Sequence, residues 1–219
     1  MEKRNRRSLW AGLSLLGAFG LWTGLVRLVD VRAIGPKESS VGFGAVNGAF
    51  HQWTGVHWGL YAVTDWLGLV PIGIALGFAG LGLWQLIRRR GLTKVDRSIL
   101  ALGGFYLAVM AAYLLFEKVV VNYRPVLIDG NLEVSYPSST TLLVLCVIPT
   151  AMMQLKSRIP NPAVCRGVLG ILGGFAVFMT AGRLISGVHW LSDIVGGGLL
   201  SAGLVEVYAF GARQEGGSR

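Results

Sequence analysis

The chain has 219 residues, 53% of them hydrophobic and 14% charged, with 20 Lys and Arg against 11 Asp and Glu for a net charge of +9. Soluble domains carry about 25% charged residues, so this balance excludes an ordinary soluble fold. The positive charges sit in short clusters between apolar runs, a pattern that sets orientation in a membrane and argues against nucleic acid as a partner.

Taken in chain order, six apolar runs stand out, roughly at 9–29, 61–87, 98–117, 139–155, 166–182 and 191–210. Each is close to the ~20 residues that a helix needs to cross a ~30 Å hydrocarbon core. The expected architecture is therefore all-α, a polytopic membrane protein of six transmembrane helices in one domain, 1–212, with a short cytoplasmic tail at 213–219. The opening MEKRNRRSLW and its apolar run imitate a signal peptide. No small-residue cleavage site follows a short apolar core, so the run reads as a retained first span.

Basic clusters precede the first run (Lys3, Arg4, Arg6, Arg7) and separate the second from the third (Arg88, Arg89, Arg90, Lys94, Arg97). Others separate the fourth from the fifth (Lys156, Arg158, Arg166) and follow the sixth (Arg213, Arg219). With six spans all four fall on one side, which the positive-inside rule makes cytoplasmic, both termini included. A bacterial plasma membrane is the expected setting, judged from small size and the absence of targeting extensions. Trp53, Trp58, Trp66 and Trp190 lie in or near the outer segments, where interfacial aromatics belong. Gly20–Gly24, Gly73–Gly77 and Gly170–Gly174 have the GxxxG spacing of close helix packing. Cys146, in an apolar run, and Cys165, in a basic connector, imply neither a disulfide nor a redox motif.

The outer segments, about 30–60, 118–138 and 183–190, hold the informative polar residues. They bring Lys118, Arg124, Ser138, Ser139, Thr140, Arg183, His189 and Asp193 to one membrane face. The stretch YPSSTT, at 136–141, puts four hydroxyls at the mouth of an apolar helix, more than the one or two that capping requires. His189 and Asp193 are four apart and would share a helix face. A carboxylate holding one ring nitrogen leaves the other as base or nucleophile. Arg124 and Arg183 offer forked donors for phosphate oxygens, Lys118 a point charge, and the N–H groups at 139–141 an anion site. The set describes phosphoryl transfer through a phosphohistidine. No metal and no cofactor is implied, and Asp129 and Glu133 read as solvated loop residues. Each residue alone has a plainer reading, as headgroup anchor, solvated interfacial side chain or structural hydrogen-bonding group.

These residues resemble the type 2 phosphatidic acid phosphatase (PAP2) superfamily of membrane lipid phosphatases. That family's motifs are Lys, six residues, Arg-Pro; Pro-Ser-Gly-His; and Ser-Arg, five residues, His, three residues, Asp. Here GRLISGVHWLSD carries Arg183, His189 and Asp193 at the third motif's spacing, Arg124-Pro125 ends the first, and PSST stands for the second. The resemblance implies a PAP2-like helical bundle in which His189 is the nucleophile and Asp193 its orienting partner. Lys118, Arg124, Ser138, Ser139 and Arg183 would hold phosphate, with no metal. Three positions depart from the pattern. Lys118 is one residue too close to Arg124, with Glu117 in the usual place; a slip of one residue turns a helical side chain by about 100°. Gly182 replaces Ser. Thr140 stands where the family has the histidine that protonates the leaving group.

A threonine is no general acid near neutral pH, and general acid catalysis is worth roughly 10²–10⁴-fold. A lipid alkoxide resembles hydroxide, whose parent water has a pKa of ~15.7, whereas phosphate, with a second pKa of ~6, leaves readily. The expected activity is thus hydrolysis of a lipid diphosphate on the extracytoplasmic face, a polyprenyl diphosphate such as undecaprenyl diphosphate. One alternative is a phosphatidic acid or phosphatidylglycerophosphate-type monoester phosphatase that recruits another acid, His51 or His57. Another is a non-catalytic lipid-phosphate binder of the same fold. A transporter is the weakest reading, because the charged set sits at one face and not at mid-membrane.

Overall fold

In the computed structural model the backbone is described for residues 2–216 and the side chains for 6–212. The side chains of Lys3, Arg4 and the expected tail, Arg213 included, and Arg219 altogether lie outside the description. Eight α-helices follow in order: α1 (Glu2–Leu28), α2 (Gly44–Thr54), α3 (Trp58–Leu67), α4 (Leu69–Arg89), α5 (Arg97–Lys118), α6 (Ser139–Lys156), α7 (Pro162–Ile185) and α8 (Leu191–Gly216). Six stretches among the described residues are long and apolar enough to cross a membrane: Arg6–Leu28, Trp58–Arg89, Arg97–Lys118, Ser139–Lys156, Pro162–Ile185 and Leu191–Ala212. They correspond one to one with the six apolar runs.

The second span is not continuous. It breaks at Gly68 between α3 and α4. Pro71 lies three residues on and cannot donate a backbone hydrogen bond, so the chain starts a new helix there. The first outer segment is likewise structured. A short antiparallel pair, β1 (Arg32–Ala33) with β2 (Ser40–Val41), leads into α2. Asp30 accepts the Ala45 N–H at 2.7 Å and so supports the first turn of α2.

The bundle is built around α6 and α8, each half-buried along its most apolar stretch, whereas the other spans expose most of theirs. Helix α8 packs against α1, α5 and α6, and α6 also packs against α7. One apolar cluster (Phe19, Phe105, Tyr136, Leu142, Leu200, Tyr208) lies among α1, α5, α6 and α8; a second (Val144, Ile148, Ala176, Met179) joins α6 to α7. In lipid, burial of apolar surface does not drive helix association, so close packing and interhelical hydrogen bonds carry it. Ser201 on α8 donates to Gly197 O at 2.6 Å and to Leu142 O on α6 at 3.3 Å. Gln154 on α6 donates to the Tyr208 hydroxyl of α8 at 2.6 Å.

The GxxxG expectation fails in its particulars. A Cβ placed on Gly20, Gly24, Gly73, Gly77, Gly170 or Gly174 would meet no other side chain or element within 4 Å. The close approaches use other glycines. A Cβ on Gly12 would lie 2.9 Å from Val207 and one on Gly203 2.8 Å from Leu16, at the α1–α8 contact. One on Gly196 would strike the Tyr136 ring at 2.7 Å, and one on Gly197 would sit 3.3 Å from Ser138 O. These last two bring α8 against the start of α6, which is where the polar residues gather.

Candidate functional site

The loop between α5 and α6 is a hairpin. Asp129 and Gly130 both have positive φ, 48° and 77°, the signature of an Asp-Gly turn that suits a twisted two-stranded ribbon. Backbone bonds pair Arg124 N–H with Glu133 O at 2.9 Å and Ser135 N–H with Asn122 O at 3.0 Å. Alternate residues of a strand share a face and cross-strand partners sit side by side. Asn122, Arg124, Glu133 and Ser135 therefore form one patch. Arg124 Nη1 donates to His189 Nε2 at 3.1 Å and to Val188 O at 3.4 Å, and its Nε lies 2.9 Å from Glu133 Oε2.

His189 is not on a helix, contrary to the shared-face expectation. It lies in the turn before α8, and Asp193 is in that helix's first turn. Two devices bring them together. Gly187 takes φ 72°, and a Cβ there would lie 2.0 Å from Gly55 O, so only glycine fits. Asp193 Oδ2 accepts the Trp190 N–H at 3.0 Å, the reach-back half of a capping box. The same oxygen lies 3.7 Å from His189 Nδ1, longer than a hydrogen bond. Asp193 Oδ1 accepts from Asn122 at 3.0 Å and from Ser192 at 3.5 Å. Asn47 on α2 donates to Ser192 Oγ at 2.9 Å and accepts the Ser192 N–H at 3.1 Å. The buried carboxylate is thus held by donors from the hairpin and the start of α8, with Asn47 steadying Ser192, as a polar group at this depth requires.

An arginine carries donors only, so His189 Nε2 accepts and its ring proton sits on Nδ1, facing Asp193. Burial pushes the imidazole pKa down to about 4; Asp193 pulls it back, and the charges of Arg124 and Arg183 add to the depression. The ring is neutral at pH 7 with its lone pair on Nε2, the form of a nucleophile.

Arg183, at the end of α7, is buried and occupied. Its Nε donates to Thr140 Oγ1 at 3.1 Å and its Nη2 to Asp65 at 3.0 Å. Its Nη1 lies 3.5 Å from Thr64 Oγ1, and its guanidinium lies 4.9 Å from the Tyr61 ring centre. Helix α3 therefore supplies a brace that no motif signals. Gly182 belongs to the same contact, since a Cβ there would lie 2.8 Å from Thr64 Cγ2. A serine at 182 does not fit beside this threonine.

Ser138 caps α6, its Oγ accepting the Thr141 N–H at 3.4 Å, and is fully buried. Ser139, Arg124 and His189 line a cavity of about 470 Å³ together with Tyr113, Phe116, Glu117, Leu132, Glu133, Val134, Ser135, Tyr136, Pro137 and Leu142. Of the remaining expected phosphate ligands, Thr140 faces Arg183, and Lys118 is exposed at the end of α5 and outside the lining. Glu117 lines the cavity in its stead. Glu133, read from sequence as a solvated residue, lines it too.

His51 and His57 are not in the lining. His51 stands edge-on to Trp190, ring centres 5.4 Å apart, with its pKa lowered by burial. His57 is exposed and meets Thr54 O at 2.8 Å. Trp190 is itself buried, at 2% exposure, and donates to Tyr123 O at 2.7 Å, so it ties the turn before α8 to the hairpin and is not an interfacial anchor. Ser135 went unnoticed in the sequence. Its Oγ is buried without a partner on the cavity wall, a donor available to an anion.

A neutral imidazole, an arginine at its reactive nitrogen, two serines and a helix N-terminus around one cavity can bind an anion and attack it. No family model and no curated protein matches the chain. Among solved structures, that of a transmembrane PAP2 type phosphatidylglycerolphosphate phosphatase from Bacillus subtilis is similar at 20% identity and a TM-score of 0.56. The alignment spans 96% of this chain and 98% of that one, so this chain shares the six-span PAP2-type fold over nearly its whole length.

Proposed function

We propose that this chain is a membrane lipid phosphatase that hydrolyses a lipid diphosphate on the extracytoplasmic face through a phosphohistidine on His189. The polyprenyl diphosphates, undecaprenyl diphosphate among them, are the favoured class. The observation that carries the reading is the buried neutral His189 with Nε2 against Arg124 on the cavity wall. His189 Nε2 forms a bond to the terminal phosphorus as the bond to the leaving oxygen breaks. Arg124, Ser139, Ser135 and the N–H groups that open α6 hold the phosphoryl oxygens, and Asp193 stabilises the imidazolium. Water then attacks phosphorus and frees the ring. Catalysis of this kind rests on positioning and charge stabilisation.

The diphosphate is favoured because Thr140, committed to Arg183, supplies no acid, and a phosphate leaves without one. A monoester reading, in line with the phosphatidylglycerolphosphate phosphatase from Bacillus subtilis, gains support from the carboxylates of Glu117 and Glu133 on the cavity wall. Phosphate release from a panel of lipid mono- and diphosphates, with His189→Ala as control, tests both. Release from the diphosphate that disappears in His189→Ala is expected. Release that survives this substitution removes His189 as nucleophile, and no release from any substrate turns the chain into a lipid-phosphate binder.

A further inference from the structure

We propose that Glu133 is the general acid that protonates a poor leaving group, an inference that rests on the phosphohistidine reading above. Three observations carry it. First, the imidazole that the PAP2 pattern places at position 140 is absent, and Thr140 Oγ1 accepts from Arg183. Neither His51 nor His57 lines the cavity. Second, Glu133 lines the same cavity as His189, on a hairpin face that presents it beside Arg124. Third, one guanidinium joins the two, with Nη1 3.1 Å from His189 Nε2 and Nε 2.9 Å from Glu133 Oε2. Nucleophile and carboxylate thus stand at two corners of one planar group, and an in-line phosphoryl group that binds Arg124 lies between them.

Substrate phosphate competes with Glu133 for Arg124 and frees the Glu133 carboxyl to face the leaving oxygen. The step then balances. The His189 Nε2–P bond forms, the P–O bond breaks, and the Glu133 proton passes to the leaving oxygen to give the alcohol. In the second step water attacks phosphorus, its proton returns to Glu133, and the N–P bond breaks to release phosphate and neutral His189. Glu117 lines the cavity without the link to Arg124 and is the natural comparison.

The test measures phosphatidic acid and farnesyl diphosphate hydrolysis by wild type, Glu133→Gln, Glu117→Gln and His189→Ala. Glu133→Gln is expected to slow the monoester by about 100-fold or more and the diphosphate by only about threefold or less, because general acid catalysis matters where the leaving group is poor. Glu117→Gln is expected to preserve the ratio of the two rates, and diphosphate turnover reports that both glutamate variants are folded. An equal loss on both substrates in Glu133→Gln overturns the inference, since it marks a residue that only positions Arg124. No loss on either, or a wild type that cleaves the diphosphate alone, overturns it too. Diphosphate release lost in His189→Ala leaves the phosphatase reading standing through all of these. Absence of release from both substrates sinks that reading and the inference together.

Discussion

The chemistry at the scale of single residues turns on how His189 is kept neutral. Its spacing to Arg183 and Asp193 was legible because a motif encodes it, but its environment was not. Asn122, which donates to the Asp193 carboxylate, and Asn47, which holds the neighbouring Ser192, lie on distant segments and make no pattern along the chain. Burial places the His189 pKa at about 4, against 6.5 for an ordinary histidine. The sign of the consequence is fixed. Between these values the unfolded chain binds a proton that the folded chain does not, so this group makes stability rise with pH from about 4 to about 6.5 and adds no further pH dependence outside that window. Nitrogen NMR of the labelled histidines should show His189 still neutral, with its proton on Nδ1, at pH 5.5. Titration of this ring near 6.5 counts against a dry, arginine-capped imidazole.

Among elements, those with a strong local signal were read well and those that depend on distant contacts were not. The spans follow from apolar length, and Ser138 caps α6 as the hydroxyl-rich YPSSTT suggests. The Asp129-Gly130 turn was also present in the sequence as a hairpin signal, and it would have placed Glu133 opposite Arg124. The α3 brace had no such signal, because Thr64 and Asp65 lie 118 or more residues from Arg183. Gly182 tests that brace. Restoring the serine of the PAP2 pattern, Gly182→Ser, adds a side chain 2.8 Å from Thr64 Cγ2. Overpacking of this kind costs about 1–3 kcal/mol, and here it pushes α3 from α7 and loosens Arg183. Gly182→Ser should lower thermal stability in detergent and weaken phosphate inhibition, and the added Thr64→Ser, which deletes the obstructing methyl, should restore both. A double variant no better than Gly182→Ser would show that α3 and α7 do not meet through this pair.

For the molecule as a whole, the question is which side of the membrane the cavity opens to. An even number of spans puts both ends of the chain on one side, with the α4–α5 and α6–α7 connections. Those connections and the adjoining helix ends carry Arg88, Arg89, Arg90, Lys94, Arg97, Lys156 and Arg158. The opposite side carries the hairpin, α2 and the turn before α8. There Asp30, Glu38, Asp65, Asp129 and Glu133 offset the basic residues. Loops rich in Lys and Arg stay cytoplasmic because their transfer across the membrane is disfavoured, while acidic residues contribute little to orientation. On this rule we propose that the cavity faces away from the cytoplasm, where a lipid phosphate in the outer leaflet would reach Arg124 and His189. Cysteine scanning decides this directly, since Cys146 and Cys165 are both buried. A cysteine introduced at Asp129, at the exposed hairpin tip, should react with a membrane-impermeant maleimide in intact bacterial cells. One introduced at Lys94 should react only after permeabilisation. The reverse pattern would invert the topology and place phosphate release in the cytoplasm, and with it the whole assignment of substrate to the outer leaflet.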